Sequence, residues 1–412
     1  MAFFKSTLFI NILWMLGSEA FAKATRILTL VALAYFLPIE TYGVAVLALT
    51  SHELIRVMTR LGSASRIIQA NDADLATLAG NGVLLQWIMC IVVCCAQVAL
   101  APYIAGYFSH PELTGLLQLM AFSHLLYPLV SIRVCLIQRE NKLKHFSLVN
   151  GVCLAAENLT IVVGLLLGYS LYAIAIAKLV AAIIWVATFY YTRRASYPLS
   201  YSGQVFVHTV QYSTKTFATE ALKILRNQID ILLCAKLFSP EVFGLYSFAK
   251  NASIGLSQSI NQAFINSSYP HITKALRNGE SLQDSLPLYR LPFMLSLLFI
   301  AQSFAAGIYI PLIFGDKWLA SVPLVQILCL TAIGSLILDI TGMIQRALNQ
   351  PSRETLLMGT YVGLQFISIS LLKPSSTNEL ALIMLYSSLI WLIIPFMHFA
   401  KTCVTKNAIR RA

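Results

Sequence analysis

An internal repeat of about 200 residues limits the architectures open to this chain. Ser18-Glu19-Ala20 recurs as Thr219-Glu220-Ala221, and Glu40-Thr41-Tyr42-Gly43 recurs as Glu241-Val242-Phe243-Gly244, both with an offset of 201 residues. A mostly apolar stretch separates the two motifs in each copy. The repeat predicts two similar halves, which in membrane proteins commonly face each other across a transport path.

The composition indicates an integral membrane protein. The chain is 58% hydrophobic and only 11% charged, with a mean hydropathy of +0.74. Soluble domains carry about 25% charged residues. The apolar stretches run for about 20 to 30 residues, which is enough for a helix to cross a hydrocarbon core of about 30 Å. They do not alternate as the strands of a membrane barrel do, so a helical protein is predicted.

Twelve membrane spans are predicted, six in each half. They are 8–36, 41–66, 80–106, 113–136, 146–167, 170–192, 206–236, 242–270, 287–314, 320–345, 354–372 and 379–400. An even number of spans returns the chain to its starting side, so the halves are expected to be related by a pseudo-two-fold axis along the membrane normal. The predicted fold is all-α, with six-helix bundles at 1–192 and 206–412 and a cytoplasmic linker at 193–205.

Basic residues in the loops predict the orientation, because cytoplasmic loops are enriched in lysine and arginine. With both termini cytoplasmic, 18 basic residues fall on the inner side and 3 on the outer side, namely Lys236, Lys317 and Lys373. The net charge of +12 therefore largely describes cytoplasmic loops. These residues are scattered among short loops and form no continuous stripe, so no nucleic-acid partner is predicted.

The eight cysteines are predicted to be small apolar residues in or beside the spans. None has metal-ligand spacing with a histidine, and no pair lies on a predicted external loop. A free cysteine in such a position behaves as a small hydrophobic side chain. No metal site and no cofactor are predicted.

Eight basic and six acidic residues remain inside the predicted spans. The basic residues are Lys23, Arg26, Arg56, Lys178, Lys215, Lys223, Arg226 and Lys250, and the acidic residues are Glu19, Glu53, Glu157, Glu220, Asp230 and Asp339. A charged side chain at the centre of a bilayer costs at least about 2.5–3.5 kcal/mol on insertion scales. These residues are therefore expected to face one another or a hydrated cavity.

The charges concentrate on spans 1 and 2 and on their repeat equivalents, spans 7 and 8. This clustering predicts a central cavity between the halves with a polar, moderately cationic wall. The candidate substrate-binding residues are Lys23, Arg26, Arg56, Lys215, Lys223, Arg226 and Lys250. The arginine fork matches phosphate oxygens and lysine supplies a compact charge, so this wall suits a diphosphate or an acidic sugar.

Structural ion pairs are the alternative interpretation for some of these charges. Glu157 and Lys178 lie on either side of the turn at Gly168-Tyr169-Ser170, and at about 1.5 Å per residue their depths match within about 3 Å. An ion pair across this helical hairpin is therefore favoured over a role in the cavity. Two intrahelical pairs at i, i+4 also stay open: Glu19 with Lys23, and Arg226 with Asp230.

Several segments resemble a known family. They include Leu37-Pro38-Ile39-Glu40-Thr41-Tyr42-Gly43, Leu61-Gly62-Ser63-Ala64, and the run from Asp230 to Ala249, which closes span 7 and opens span 8. With these segments and its twelve predicted spans, the chain resembles the polysaccharide repeat-unit flippases (O-antigen, Wzx type) of the multidrug/oligosaccharidyl-lipid/polysaccharide exporter superfamily.

The resemblance implies a transporter and not an enzyme. Such a protein would move an undecaprenyl-diphosphate-linked oligosaccharide from the cytoplasmic to the periplasmic leaflet of the bacterial inner membrane by alternating access, for O-antigen or capsule assembly. The implied partners are this lipid-linked oligosaccharide, membrane lipid, and a polysaccharide polymerase with its chain-length regulator. The charged residues of spans 1, 2, 7 and 8 would hold the diphosphate and sugars, while the lipid tail would stay in the membrane.

Four acidic residues are candidates for ion coupling, because a carboxylate removed from water is prone to take up a proton. They are Glu19, Glu220, Asp230 and Asp339. The role of Asp339, the one charge on span 10, stays open, as do binding of another cation by these acids and flux driven only by consumption of the product.

Three other functions compete with this interpretation. A drug or small-cation extruder of the same superfamily would favour acidic sites, whereas basic residues outnumber acidic ones here by 8 to 6. A peptidoglycan-precursor flippase would share the chemistry but is expected to carry two further spans. A membrane polysaccharide polymerase would need a sizeable external loop, and no predicted external loop exceeds about ten residues.

Overall fold

The computed structural model describes residues 21, 24–61, 67, 74–140, 143–192, 200–254, 265, 287–348 and 351–392. The chain divides into two compact units, Met1–Leu225 (unit 1) and Arg226–Ala412 (unit 2). The boundary falls inside one long helix, Gly203–Leu237, which begins within the predicted linker 193–205. The predicted division at 193–205 stays a prediction.

The regular elements of the described residues are all helical, which confirms the predicted all-α class. The α-helices are α1 (Ala24–Phe36), α2 (Ile39–Arg56), α3 (Leu75–Phe108), α4 (Glu112–Ala121), α5 (Ser131–Arg139), α6 (Leu143–Leu166), α7 (Tyr172–Thr192), α8 (Gly203–Leu237), α9 (Pro240–Ala252), α10 (Pro287–Phe314), α11 (Val322–Ala347), α12 (Pro351–Leu372) and α13 (Thr377–Leu389). Short 3₁₀ segments lie at Val57–Leu61, Phe122–Leu125, Tyr127–Leu129, Asp316–Ser321 and Ile390–Leu392.

Proline and glycine set several of these helix boundaries. Helices α9, α10 and α12 begin at Pro240, Pro287 and Pro351, where the missing N–H is one that the first helical turn leaves unpaired anyway. Gly168 follows α6 with φ of 83°, a left-handed conformation that glycine adopts without a Cβ clash. The Gly168 turn reverses the chain into α7, as the sequence predicted.

Six helices of the described chain are long and apolar enough to cross a membrane, or seven if one bent pair counts as a single span. The six lie in α3, α6, α7, α10, α11 with its preceding 3₁₀ turn, and α12. Helix α8 is 35 residues long but carries several charged side chains. The protein is thus a multi-pass membrane protein, while the count of twelve spans stays a prediction.

The bent pair corresponds to the predicted span at 113–136. Its two parts, Glu112–Leu129 and Ser131–Ile137, meet at an angle of 55°. Pro128 lies just before the bend and lacks the N–H that a continuous helix would use, and Val130 leaves helical geometry with φ of −127° and ψ of 1°. The 3₁₀ turns before the bend therefore interrupt the span within unit 1.

Close packing of helices forms the core of unit 2. Gly334 of α11 lies so close to Ser388 of α13 that an added Cβ would collide with the Ser388 carbonyl oxygen. On another side of α11, a cluster of buried apolar side chains including Leu336 and Met343 packs against Phe299 of α10. This packing places Asp339, which is on α11, within unit 2 at a fixed position.

Candidate functional site

Four charged side chains from three helices form a connected network in unit 1. Arg56 and Glu53 lie one turn apart on α2, with Arg56 Nη2 2.7 Å from Glu53 Oε2. Lys178 of α7 extends the network, because its Nζ lies 2.7 Å from Glu157 Oε1 and 3.5 Å from Glu53 Oε1. The predicted Glu157–Lys178 ion pair across the α6–α7 hairpin is therefore confirmed.

The charges of this network cancel, since it contains two carboxylates and two cations. Its side chains are between 15% and 31% exposed, so they are only partly removed from solvent. Removing one member of such a pair would leave its partner partly buried without a counter-charge. Arg56 is the most exposed of the four.

Arg26 of α1 differs from the network residues. Its side chain is exposed, and it makes no ion pair with any carboxylate in the described part of the chain. Tyr42 and Glu157 influence it electrostatically, which places it near the network. The guanidinium of Arg26 is therefore open, meaning exposed and not paired with a described carboxylate, and it lies near a cluster whose charges balance.

The other predicted site residues of unit 1 are only partly described. Glu19 and Lys23 lie outside the described residues, as does the side chain of Lys215. On α8, Lys223 Nζ lies 3.3 Å from Glu220 Oε1 at i, i+3. Both side chains are partly exposed, and such exposed pairs contribute only about 0.2–1 kcal/mol to stability.

Arg226 makes an ion pair with Asp339 in unit 2. Its Nη1 lies 2.7 Å from Asp339 Oδ1, which connects α8 to α11, and its side chain is only 7% exposed. The Arg226 Nη1 atom also contacts the sulfur of Met358 on α12. The alternative of an intrahelical Arg226–Asp230 pair is therefore wrong, because the guanidinium of Arg226 extends to another helix.

Asp230 pairs with Lys250 of α9 instead. Asp230 is 1% exposed, and its Oδ1 lies 2.5 Å from Lys250 Nζ while Tyr246 donates its hydroxyl to Oδ2 at 2.8 Å. Lys250 also donates to the backbone carbonyl of Asn227. Both carboxylate oxygens of Asp230 are thus occupied within unit 2, as expected of a buried charge.

Ion pairing accounts for much of the charge clustering that the sequence shows. Arg56, Lys223, Arg226 and Lys250 each lie beside a carboxylate, whereas Arg26 makes no such pair among the described residues. The sequence indicated which helices carry charge. It did not indicate that Arg226 would meet Asp339 or that Lys178 would also meet Glu53, because these partners come from distant segments.

The structure also brings together three buried polar residues that the sequence analysis did not single out. His52 of α2 and His124 of the 3₁₀ segment Phe122–Leu125 each lie within hydrogen-bonding distance of Gln97 of α3, and the two imidazole rings stack on each other. Gln97 is a polar residue among mostly apolar neighbours in α3. This contrast is the sequence feature from which a buried polar contact could have been predicted.

Comparison with known proteins places the chain in a family. A sequence model of the family described as polysaccharide biosynthesis protein matches residues 32–323. The chain is 22% identical over 314 residues to the lipopolysaccharide biosynthesis protein WzxC of Escherichia coli (strain K12), covering 73% of this chain and 62% of that protein. It is 20% identical over 305 residues to the teichuronic acid biosynthesis protein TuaB of Bacillus subtilis (strain 168), covering 70% and 60%. The chain thus spans less than two thirds of each relative.

Two solved structures share the fold. A multidrug resistance MATE family transporter of the MOP superfamily, in an inward-facing conformation, matches with a TM-score of 0.72 at 11% identity over 96% of this chain and 99% of the transporter. The lipid II flippase MurJ, in an inward closed conformation, matches with a TM-score of 0.72 at 13% identity over 93% and 86%. Because the family model covers more than half of its length, this chain belongs to the polysaccharide biosynthesis protein family and has the helical membrane fold of these transporters.

Proposed function

We propose that this protein is a flippase for an undecaprenyl-diphosphate-linked oligosaccharide in the bacterial inner membrane. It moves the repeat unit of an O-antigen or capsule from the cytoplasmic to the periplasmic leaflet by alternating access. The proposal includes twelve spans in two bundles, cytoplasmic termini, and the predicted cavity lined by spans 1, 2, 7 and 8. A polymerase and a chain-length regulator are the proposed protein partners, since they act on the exported unit.

The observation that carries the proposal is the open guanidinium of Arg26 beside the balanced network of Glu53, Arg56, Glu157 and Lys178. A diphosphate that enters this region meets a cation that is not already paired with a described carboxylate. The planar fork of arginine donates two parallel hydrogen bonds to phosphate oxygens. The network beside it supplies polar surface without adding net charge, which suits the neutral hydroxyls of a sugar.

The relatives support the substrate class. WzxC and TuaB are named for lipopolysaccharide and teichuronic acid biosynthesis, and MurJ is named as a flippase of lipid II. A lipid-linked saccharide is the substrate class that is consistent with all three names. Lys23, Lys215 and Lys223 complete the proposed diphosphate and sugar contacts, together with the partly exposed Arg56.

The ion pairs of unit 2 make Asp230 and Asp339 less suitable than Glu220 for ion coupling. Asp230 and Asp339 are each held by a cation, Lys250 and Arg226 respectively, so proton uptake by either acid would break an existing pair. Glu220 is 39% exposed and pairs with Lys223 at the longer distance of 3.3 Å. We therefore propose Glu220, with its repeat equivalent Glu19, as the site of ion coupling.

A complementation experiment tests the flippase proposal. Cells that lack the chromosomal copy would receive the wild-type protein, Arg26→Ala, Arg26→Lys, or the control Arg353→Ala, which removes an exposed arginine on α12. Surface polysaccharide and lipid-linked repeat units on the inner leaflet would be measured at matched levels of membrane-inserted protein. We expect Arg26→Ala to lower export at least about tenfold, equivalent to about 1.4 kcal/mol. Arg26→Lys should retain part of the activity because it keeps the charge.

Two outcomes would contradict the proposal. Normal surface polysaccharide in the deletion strain would exclude this export role. Extrusion of cationic dyes that Arg26→Ala leaves intact would favour the small-molecule extruder, which is the competing function for this fold.

A further inference from the structure

Two threonines of α1 and one asparagine of α6 join these helices within unit 1. Asn158 Nδ2 lies 2.9 Å from Thr25 Oγ1, and Thr29 Oγ1 donates to the backbone carbonyl of Asn158 at 3.1 Å. Thr25 and Thr29 lie one turn apart on the same face of α1 and are 7% and 5% exposed. A single residue of α6 is therefore contacted by two successive turns of α1.

This contact is polar although the buried residues that follow it on α1 are apolar, among them Leu30, Leu33 and Ala34. Apolar faces gain little from packing against one another instead of against lipid, whereas threonine and asparagine side chains hydrogen-bond across helices. A hydrogen bond also requires a particular distance and angle. The hydrogen bonds of Thr25 and Thr29 therefore fix the rotation of α1 about its own axis, as well as its distance from α6.

The contact lies directly beside two charged residues of the candidate site. Arg26 follows Thr25 on α1, and Glu157 precedes Asn158 on α6. Successive residues of a helix point about 100° apart, so the orientation of Thr25 toward Asn158 sets the direction in which Arg26 leaves α1. Glu157 influences Arg26 electrostatically, although the two side chains form no ion pair. The contact thus holds Arg26 near the network and leaves its guanidinium open.

We propose that Asn158 is a positioning residue for Arg26, and that it acts through the hydrogen bond to Thr25. It sets the affinity of the site for a diphosphate, a step that rests on the proposed function because Arg26 is the diphosphate ligand there. An arginine whose helix is held in place loses less freedom when it binds phosphate, and such preorganisation raises affinity.

A purely structural role is the competing interpretation. If the contact only holds α1 in unit 1, its loss lowers stability and acts on binding whether or not Arg26 is present. If Asn158 acts through Arg26, its loss has no further effect on binding once Arg26 has been removed. A double-mutant cycle distinguishes these two cases.

Thr25 offers a matched pair of variants. Thr25→Val keeps the shape of the side chain and removes the hydroxyl, whereas Thr25→Ser keeps the hydroxyl and removes a methyl group. Asn158→Leu removes the amide from the other side of the same hydrogen bond. Thr160→Val is the control on α6, because the Thr160 hydroxyl bonds to the carbonyl of Ala156 in its own helix. If Asn158→Leu does not fold, the two Thr25 variants carry the test.

Nitrogen NMR reports the position of Arg26 without any ligand. The full-length protein would be labelled with ¹⁵N-arginine and placed in lipid nanodiscs, and Arg26→Lys would assign the Nε–H signal of Arg26. We expect this signal to shift in Asn158→Leu and in Thr25→Val, and to stay unchanged in Thr25→Ser and Thr160→Val. An Arg26 signal that does not move in folded Asn158→Leu or Thr25→Val would overturn the proposal.

Binding of radiolabelled inorganic diphosphate measures the consequence for affinity. We expect Asn158→Leu to weaken binding about threefold to tenfold, the range for one hydrogen bond between membrane helices. In protein that already carries Arg26→Ala, Asn158→Leu should cause no further loss. An equal loss in both backgrounds would reject the positioning role, and a wild-type protein that binds no diphosphate would reject the ligand assigned to Arg26.

The outcomes also separate this proposal from the flippase proposal. If the Arg26 signal moves as expected while the deletion strain makes normal surface polysaccharide, only the flippase proposal fails. If the deletion strain loses surface polysaccharide but Asn158→Leu changes neither the Arg26 signal nor the diphosphate affinity, only the positioning role fails.

Discussion

The guanidinium of Arg226 lies 2.7 Å from the carboxylate of Asp339, and this contact holds α8 against α11 in unit 2. The two residues are 113 positions apart in the sequence. Arg226 is almost fully buried, so the pair is shielded from the solvent that weakens surface ion pairs. Its main expected effect is structural, since neither charge is free for a ligand.

The first prediction concerns this pair. Arg226→Met and Asp339→Asn should each lower the free energy of unfolding by about 3 kcal/mol, because the first leaves the partly buried Asp339 and the second the buried Arg226 without a counter-charge. Titration with denaturant in detergent or lipid measures the free energy of unfolding of each variant. The charge-swapped variant Arg226→Asp with Asp339→Arg should recover part of it in a double-mutant cycle. Single variants as stable as the exposed control Arg353→Ala would show that the pair contributes nothing.

The second prediction ranks two changes in the unit 1 network. Lys178→Met should be more destabilising than Glu157→Gln, because it leaves two carboxylates, Glu157 and Glu53, without the ammonium between them. Glu157→Gln leaves Lys178 with Glu53 as a remaining partner. Thermal unfolding of the two variants beside the exposed control Glu40→Gln measures the order. The reverse order would mean that the network is not organised around Lys178.

The third prediction concerns the hydroxyl of Tyr246. Tyr246→Phe removes the hydrogen bond to the buried carboxylate of Asp230 and should cost about 1.5–3 kcal/mol, the range for hydrogen bonds to charged groups. Tyr386→Phe is the matched control, since Tyr386 is 63% exposed on α13. Unfolding free energies that do not differ between the two variants would contradict a role for the Tyr246 hydroxyl.

The fourth prediction tests the close approach of α11 and α13. Gly334→Ala places a methyl group against the Ser388 carbonyl, which must force the helices apart and should cost at least about 1–3 kcal/mol. Gly363→Ala on α12 has open space around its new Cβ and should be neutral or stabilising by up to about 1 kcal/mol. Thermal unfolding of both variants provides the measurement. Equal stability of the two would show that α11 and α13 can separate at no cost.

The fifth prediction addresses coupling. In vesicles with an imposed pH gradient, Glu220→Gln should abolish the dependence of lipid-linked oligosaccharide flux on the gradient, because the amide cannot exchange a proton. Glu241→Gln, an exposed glutamate in the first turn of α9, is the control and should retain the dependence. Full gradient dependence in Glu220→Gln would remove Glu220 from the proposed coupling sites.

The length of the apolar stretches and the low content of charged residues were sufficient to predict much of the fold. Predicted spans 3, 9 and 10 correspond closely to α3, α10 and α11, since long apolar stretches in a membrane can form little other than helices. The predicted pair of Glu157 and Lys178 was also correct, because both residues lie on one hairpin whose turn is visible in the sequence. The rise per residue of the two helices that flank the turn was enough to predict this pair.

Predictions failed where they required knowledge of which helices are neighbours. The sequence left Arg226 with Asp230 as an alternative, and the sequence analysis did not predict the bend after Pro128 in the fourth span. It did not single out the contact of His52 and His124 with Gln97, because the three residues lie on separate elements.

The sequence by itself determined that this chain is helical and spans a membrane, because the cost of exposing backbone polar groups to lipid acts on each segment separately. Only the tertiary structure decided that Arg226 is held by Asp339, that Asp230 is held by Lys250, and that Arg26 is open among the described cations of the site. The physical reason is that the strength of a charge–charge contact depends on distance and burial, and both are fixed only when helices distant in the sequence pack together.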